Sequence, residues 1–188
     1  LTAGRNLERL IGQIREFSPR HVYIIEEKDA RTLYELFPQL DIYWGEDGMD
    51  QVSRLTDFDI GVSALVGVAG LRPTWNMIRN GKTVALANKE VLVTGGRLVM
   101  EAAKDCSATL LTVDSEHSAI MQCLRGENHA EIERILLTAS GGPFFEREIT
   151  DDITPQEALR HPTWKMGPKI TIDSATMMNK GFEIIEAR

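Results

Sequence analysis

Apolar residues near the start of the chain recur with the spacing of an α-helix. Five of them would share one helical face: Leu7, Leu10, Ile11, Ile14 and Phe17. Asn6 stands just before the first of them and is a suitable N-cap. Residues 1–4 then predict the tail of a strand and its turn, so the chain opens on part of a strand-turn-helix unit.

Short apolar runs and helical patterns alternate from there to residue 113. Strands are predicted at 21–25, 40–44, 57–66, 83–87 and 108–113, and helices at 29–37, 71–80 and 89–104. Pro38 and Gly81 end the first two of these helices, and Gly95 with Gly96 predicts a kink in the third. Such alternation is typical of βαβ units, so we expect an α/β fold with a parallel sheet covered by helices on both faces.

The pattern changes after Val113, and we place a domain boundary near residue 112. A helix at 118–124, a strand at 133–139, a helix at 154–159 and a strand at 169–172 are predicted beyond it. Thr154 and Glu157 form a capping box around Pro155, which indicates a helix start. We expect residues 113–188 to form part of an α+β domain.

The composition is that of a globular protein, with 43% hydrophobic and 26% charged residues among 188. Its 21 basic and 28 acidic residues leave a net charge of −7, which argues against nucleic acid or an anionic membrane as the main partner. Cys106 and Cys123 form no CxxC pair, which favours a reducing compartment such as the bacterial cytoplasm, or a plastid. The longest apolar stretch, 60–71, is too short to span a bilayer. The chain has no initial Met or signal peptide, so we expect a partial chain.

Two carboxylates follow the predicted strand that ends at Val113. Asp114 and Glu116 are two residues apart, so in extended backbone they face the same side. Such a pair attracts a cation, and carboxylate oxygens suit hard ions such as Mg²⁺ or Mn²⁺ when a third carboxylate completes the set. The alternative is a solvated acidic loop that caps a helix.

Two further segments offer groups that bind anions. The turn 140–143 contains two glycines that let backbone N–H groups approach an anion closely, although a tight surface turn explains it equally well. Ser174, Asn179 and Lys180 provide a hydroxyl, an amide and an ammonium, which suit a phosphate. Helix capping and core packing are the alternative for that segment.

Two segments have the character of ligand-binding loops. Residues 160–167 place His161 and Trp164 in a loop bounded by proline and glycine, and such loops often cover sites. Residues 88–90 follow a predicted parallel strand at the end where ligands bind in open α/β sheets. An exposed histidine and a helix-initiating asparagine are the plain alternatives.

Taken together, these segments resemble the 1-deoxy-D-xylulose 5-phosphate reductoisomerases over nearly the whole chain. Five motifs stand in the family's order: Ala87-Asn88-Lys89-Glu90, Val113-Asp114-Ser115-Glu116-His117, Ser140-Gly141-Gly142-Pro143-Phe144, His161-Pro162-Thr163-Trp164-Lys165-Met166-Gly167, and 173–181. The resemblance implies an oxidoreductase that uses NADPH and a divalent metal. Its reaction would rearrange and reduce 1-deoxy-D-xylulose 5-phosphate to 2-C-methyl-D-erythritol 4-phosphate, in the non-mevalonate route to isoprenoids.

The resemblance also implies residue roles. The metal ligands would be Asp114, Glu116 and Glu183, holding Mg²⁺ or Mn²⁺, with Co²⁺ as a further option. The phosphate would be bound by Ser140, Ser174, Asn179 and Lys180. Further substrate contacts would come from Lys89, Ser115, Glu116, His161, Trp164 and Glu183, and the catalytic residues among these would be Lys89, Glu116 and His161.

For the cofactor, the resemblance implies a Rossmann-type NADPH-binding domain at 1–112 that lacks its first strand-helix unit. The cofactor contacts would be Gly4, Arg5, Asn6, Asn88, Glu90, Met166 and Gly167, with Arg5 at the 2′-phosphate. Residues 113–188 would form a truncated catalytic domain, so we do not expect full activity from this chain alone. The full-length protein would be a homodimer. Phe145 departs from the family pattern, where we expect an arginine.

Two other functions fit the same residues. One is a metal-dependent phosphosugar isomerase or aldolase that uses no nicotinamide. Arg5 and Asn88 argue against it, because the resemblance makes both of them cofactor contacts. The other is a non-catalytic module that binds a sugar phosphate.

Overall fold

Short parallel strands and their connecting helices build the first part of the protein. The structure is a computed structural model that describes residues 1–187. The strands are β1 (His21–Ile24), β2 (Asp41–Trp44), β3 (Ile60–Ser63), β4 (Thr83–Leu86) and β5 (Thr109–Thr112). β1 pairs with β2, and β3, β4 and β5 form a second sheet in that order, every pair being parallel. The predicted α/β class is therefore confirmed, with the strands divided between two sheets.

Helices follow each strand and continue into the second part of the chain. They are α1 (Leu7–Phe17), α2 (Glu27–Leu36), α3 (Gly45–Ser53), α4 (Leu71–Arg79), α5 (Glu90–Asp105), α6 (Ser115–Leu124), α7 (Pro155–Ala158), α8 (Pro168–Ala175) and α9 (Met178–Glu186). Asn6 caps α1 by accepting a hydrogen bond from the backbone of Arg9, as predicted. Gly95 has non-helical backbone angles inside α5, which confirms the kink. None of the helices in the described part of the chain is long and apolar enough to cross a bilayer.

Each sheet has its own apolar core. Leu10 and Leu33 pack with the residues of β1 and β2, and Ile78 and Val99 pack with those of β4. A fully buried side chain of this size contributes about 1.5–3 kcal/mol. The helices that cover the sheets are therefore fixed to them, which gives the loops at the strand ends a rigid base.

The carboxyl ends of β4 and β5 lie side by side. Leu86 pairs with Thr112, and the backbone N–H of Val113 donates to the carbonyl of Leu86 at 3.0 Å. Lys89 follows β4 by three residues at the start of α5, and Asp114 follows β5 by two residues at the start of α6. Parallel pairing thus brings together two segments that the sequence analysis considered separately.

The predicted strand at 133–139 is not present. These residues have no regular secondary structure, and the side chains of Ile135 and Leu136 are 53% and 78% exposed. A strand is stable only when a neighbouring strand satisfies its backbone groups. Within residues 1–187 no strand pairs with this segment, so its apolar pattern alone does not produce one.

The strand predicted at 169–172 is wrong, because these residues belong to α8. Pro168 occupies the first helical position, and the carbonyl of Gly167 accepts hydrogen bonds from the backbone and hydroxyl of Thr171. Lys169 pairs with Asp173 one turn later at 2.7 Å. These helix-starting contacts outweigh the strand preference of the branched residues.

The sequence analysis missed α3. Gly45 and Gly48 disfavour a helix, but Gly48 allows this one to lie against β2, where an added Cβ would come within 3.1 Å of the Tyr43 carbonyl carbon. Close packing, which intrinsic propensity does not describe, accounts for the helix.

Candidate active site

Three carboxylates converge where β5, α6 and α9 meet. Asp114 precedes α6, Glu116 lies in its first turn, and Glu183 lies in α9. One oxygen from each lies within 4.8 Å of the others, although Glu183 is far from the other two in sequence. The structure therefore brings together the three predicted metal ligands. Oxygen donors at this spacing fit a hard divalent cation.

Lys89 connects two of these carboxylates from the end of β4. Its Nζ lies 2.7 Å from Asp114, 2.8 Å from Glu183 and 2.8 Å from the amide oxygen of Asn179. Burial lowers the pKa of Lys89, but its hydrogen bonds to Asp114 and Glu183 outweigh burial and hold the pKa above its ordinary value. Lys89 is therefore an ammonium at neutral pH.

Lys180 connects Glu183 to the third carboxylate, Glu116. Its Nζ binds Glu183 and lies 3.2 Å from Glu116, whose second oxygen accepts a hydrogen bond from Ser115. Partial burial raises the pKa of Glu116, but the hydrogen bonds from Ser115 and Lys180 outweigh burial and lower the pKa to about 2. Glu116 is thus ionised and able to bind a cation.

The charges of this cluster favour a further cation. Three carboxylates face two ammonium groups, which leaves one negative charge uncompensated. Glu186 lies one turn after Glu183, and burial raises its pKa to about 7, so near neutral pH it adds only part of a further negative charge. The donor set and the charge balance therefore fit a divalent metal ion.

His117 and Glu186 are residues of this cluster to which the sequence analysis assigned no role. His117 Nε2 lies 2.9 Å from the backbone carbonyl of Glu183, and its Nδ1 lies 3.5 Å from both Asp114 and Glu186. Each missed residue stands three positions after a predicted ligand, on the same helical face. That spacing could have identified them.

The predicted phosphate-binding residues lie on α8, on α9 and in the adjoining turn. Asn179 and Lys180 are in the first turn of α9, and the amide of Asn179 donates to Glu183 at 2.6 Å. Ser174 lies near the end of α8. Gly142 packs so closely on α8 that an added Cβ would lie 2.8 Å from the carbonyl oxygen of Ser174. This contact brings the turn that carries Ser140 against α8.

The loop between α7 and α8 carries His161, Trp164 and Met166. His161 Nε2 lies 3.1 Å from the hydroxyl of Ser140, which joins the loop to the glycine turn. Trp164 is 62% exposed.

The capping box that starts α7 is confirmed, because Thr154 and Glu157 bind each other's backbone N–H groups. Phe145 is exposed and its ring lies under Gly141.

The predicted cofactor residues lie in three places: Gly4, Arg5 and Asn6 precede α1, Asn88 and Glu90 follow β4, and Met166 and Gly167 precede α8. Gly4 lines a cavity of about 430 Å³, and Arg5 is highly exposed with its guanidinium 3.6 Å from Glu26. Asn6 caps α1. Glu90 pairs with Lys169, which ties the start of α5 to α8 beside Gly167.

Asn88 is buried and makes structural hydrogen bonds with both ends of its amide. Its nitrogen donates to the carbonyls of Leu65 and Gly67, and its oxygen accepts from the backbone of Val91. The side chain thus clamps the loop after β3 to the start of α5. Its cofactor role stays a prediction.

We expect Asn88→Ala to lower the free energy of unfolding by about 2–3 kcal/mol, because it leaves buried carbonyls and a helix N–H without partners. Urea unfolding would measure the change. The matched control is Asn80→Ala, which removes a single exposed hydrogen bond to the carbonyl of Arg54 and should cost less than about 1 kcal/mol. Equal losses in the two variants would contradict the clamp.

Two family models match most of the chain. One described as 1-deoxy-D-xylulose 5-phosphate reductoisomerase matches residues 1–96, and one described as the C-terminal domain of that enzyme matches residues 110–188. The protein of that name from Thermoanaerobacter pseudethanolicus is 53% identical, and the alignment covers 100% of this chain and 50% of that protein. The one from Listeria innocua is 51% identical over 98% of this chain and 49% of that protein.

Solved structures of the same name share the fold. A DOX-P reductoisomerase in complex with NADPH, fosmidomycin and magnesium has a TM-score of 0.90 at 38% identity, covering 100% of this chain and 50% of that one. The reductoisomerase from Zymomonas mobilis in complex with NADPH has a TM-score of 0.87 at 41% identity, covering 100% and 49%. The chain spans about half the length of the curated relatives it matches. As its motifs predicted, the chain belongs to the 1-deoxy-D-xylulose 5-phosphate reductoisomerase family.

Proposed function

We propose that the full-length protein containing this chain converts 1-deoxy-D-xylulose 5-phosphate to 2-C-methyl-D-erythritol 4-phosphate with NADPH and a divalent metal. The observation that carries this proposal is the convergence of Asp114, Glu116 and Glu183 within 4.8 Å, with two lysines between them. The family membership supports it, as do relatives whose structures contain NADPH and magnesium.

Asp114, Glu116 and Glu183 would hold Mg²⁺ or Mn²⁺, or Co²⁺ in their place. The ion supplies a Lewis acid and a template for substrate oxygens when bound. Glu116 is suited to this role because its low pKa keeps it ionised. Ser115, whose hydroxyl donates to Glu116, orients that carboxylate and would contact the reacting end of the substrate.

Lys89 would act as a hydrogen-bond donor and not as a base. Its raised pKa keeps the proton on Nζ, and its position against Asp114 and Glu183 places the ammonium beside the metal ligands. An ammonium there can stabilise negative charge that develops on a substrate oxygen.

Ser174, Asn179 and Lys180 would bind the phosphate, together with Ser140 from the glycine turn. They supply hydroxyl, amide and ammonium donors, which are the groups that phosphate oxygens accept from. His161, Trp164 and Met166 would close over the substrate and exclude water.

Gly4, Arg5 and Asn6 would hold NADPH together with Asn88, Glu90, Met166 and Gly167. The cofactor supplies hydride when bound. The exposed guanidinium of Arg5 suits the 2′-phosphate. We propose a cofactor domain at 1–112 and a catalytic domain at 113–188, a division that family models matching 1–96 and 110–188 support. We also propose that the full-length protein is a homodimer, as the family resemblance implies. We place it in a bacterial cytoplasm, which the bacterial relatives and two free cysteines favour.

The test is NADPH oxidation by the full-length protein with substrate and Mn²⁺. We expect turnover that a chelator abolishes. Glu116→Gln should abolish turnover while leaving NADPH binding intact, and the exposed Glu133→Gln should leave both unchanged. Absence of NADPH binding would favour an isomerase or aldolase without nicotinamide. Phosphosugar binding without metal or turnover would favour a non-catalytic binding module.

A further inference from the structure

One carboxylate oxygen of Glu186 is buried without a hydrogen-bond partner. Only 2% of the side chain is exposed, and within residues 1–187 no hydrogen-bond donor contacts Oε2. A buried carboxylate oxygen without a partner is costly, so native proteins rarely contain one unless it binds water or an ion. Oε2 faces Nδ1 of His117 at a distance of 3.5 Å. The groups around Oε2 therefore decide which ligand suits it.

The imidazole of His117 presents a lone pair at the same point. Its Nε2 lies 2.9 Å from the backbone carbonyl oxygen of Glu183, which can only accept, so Nε2 carries the ring proton. In the neutral ring Nδ1 then offers a lone pair, and it lies 3.5 Å from oxygens of both Asp114 and Glu186. Three electron-pair donors face one another, and a cation between them would remove their repulsion. A histidine that binds a metal through one nitrogen normally donates from the other to a carbonyl or carboxylate, as His117 does.

The separations between these donors match the edges of a tetrahedral metal site. Bonds of about 2.0–2.2 Å to zinc at tetrahedral angles place neighbouring ligand atoms roughly 3.3–3.6 Å apart. Both distances from Nδ1 of His117 fall in that range, and the three donor atoms lie within 4.8 Å of one another. An ordinary N–H···O hydrogen bond is shorter, at about 2.7–3.2 Å. The geometry therefore suits a shared ion better than direct hydrogen bonds.

We propose that Asp114, His117 and Glu186 form a second divalent cation site, which takes an ion such as Zn²⁺ or Co²⁺ in preference to Mg²⁺. Imidazole nitrogen suits zinc and cobalt, whereas magnesium prefers oxygen ligands and water. The site shares only Asp114 with the three-carboxylate site formed by Asp114, Glu116 and Glu183. Oδ1 of Asp114 faces His117 and its Oδ2 faces a lysine, so the two oxygens point to different sides.

An ion at the second site would join the two helices that carry the predicted metal ligands. His117 lies in α6 and Asp114 directly precedes it, whereas Glu186 is the last residue of α9. The three side chains are 2–10% exposed, so they would shield the ion from water. We therefore expect a structural ion that fixes the end of α9 against α6. This role goes beyond the proposed function and requires neither the phosphosugar nor NADPH.

Zinc X-ray absorption spectra of the full-length protein test the second site directly. The parent for this test is Glu116→Gln, which weakens the three-carboxylate site, with Mg²⁺ in excess and one equivalent of Zn²⁺. We expect scattering from one imidazole, and adding His117→Gln should remove it. The matched control is His129→Gln, since His129 is exposed in the turn 129–131 and should leave the spectrum unchanged. Zinc bound to oxygen ligands alone, or imidazole scattering that survives in His117→Gln, would overturn the proposal.

Glu186→Gln provides a second test that keeps the histidine. The glutamine retains the volume of the side chain and removes one charged ligand. Calorimetric titration with Zn²⁺ should show an affinity about 100-fold lower or less when Glu186→Gln is added to Glu116→Gln. In the protein with Glu116 intact, Glu186→Gln should change the Mn²⁺ affinity of the three-carboxylate site far less. An unchanged Zn²⁺ affinity, or equal losses for the two ions, would contradict a separate site.

Neither measurement requires turnover. A protein that fails the NADPH assay can still show zinc bound to His117, and an active enzyme can lack it. A failure of the proposed function is therefore distinguishable from a failure of this inference.

Discussion

Glu183→Gln is expected to remove most metal binding and to destabilise the protein. The side chain of Glu183 is 1% exposed and accepts hydrogen bonds from Lys89, Asn179 and Lys180. The glutamine retains the volume but leaves two largely buried ammonium groups without their shared counterion. We expect the free energy of unfolding, measured in the presence of a chelator, to fall by about 3 kcal/mol or more.

The Mn²⁺ affinity of the full-length variant should fall about 100-fold or more, because a charged ligand is lost. Counting free Mn²⁺ by electron paramagnetic resonance would measure this. The matched control is Glu101→Gln on α5, where the carboxylate is 63% exposed and 4.0 Å from Arg97. Exposed pairs contribute at most about 1 kcal/mol, so that variant should differ little from the parent protein. An unchanged Mn²⁺ affinity in Glu183→Gln would contradict the ligand role.

Short-range sequence signals, such as helix caps, were sufficient to predict several elements. Asn6 and Thr154 are helix caps whose hydrogen bonds depend only on residues within three positions, and both are confirmed. The parallel strands were recognisable because their branched residues alternate with helical patterns. These features depend on contacts between residues that are close in the sequence, so they can be predicted from it.

Longer-range packing explains what the sequence did not predict. Residues 169–172 have the composition of a strand, but Lys169 forms ion pairs with Glu90 and Asp173, and this favours the helix. The segment 133–139 has strand composition without a partner strand in the described residues. Motif resemblance identified the three carboxylates, whereas the ion pair of Lys89 with one of them, Asp114, follows from the pairing of β4 with β5.

Gly142→Ala is expected to weaken phosphate binding without affecting the metal site. Gly142 has φ of +67°, and an added Cβ would lie 2.8 Å from the carbonyl oxygen of Ser174 and 3.0 Å from the Cα of Ala175. Both contacts are with backbone, which cannot turn aside as a side chain could. The turn must therefore move away from α8, and we expect the KM for the phosphosugar to rise about tenfold or more as Ser140 loses its position.

The control for Gly142→Ala is Gly126→Ala, which has φ of +86° and no atom within 4 Å of the added Cβ. In both variants the alanine is forced into a left-handed backbone conformation, which costs about 1–2 kcal/mol. Only in Gly142→Ala does the added Cβ also clash with α8. A rise in KM restricted to Gly142→Ala, with Mn²⁺ affinity unchanged in both, would therefore assign the effect to the contact between the glycine turn and α8. Equal KM values in the two variants would show that backbone strain alone is responsible. In that case the contact of Gly142 with Ser174 would not be what positions Ser140 for phosphate binding.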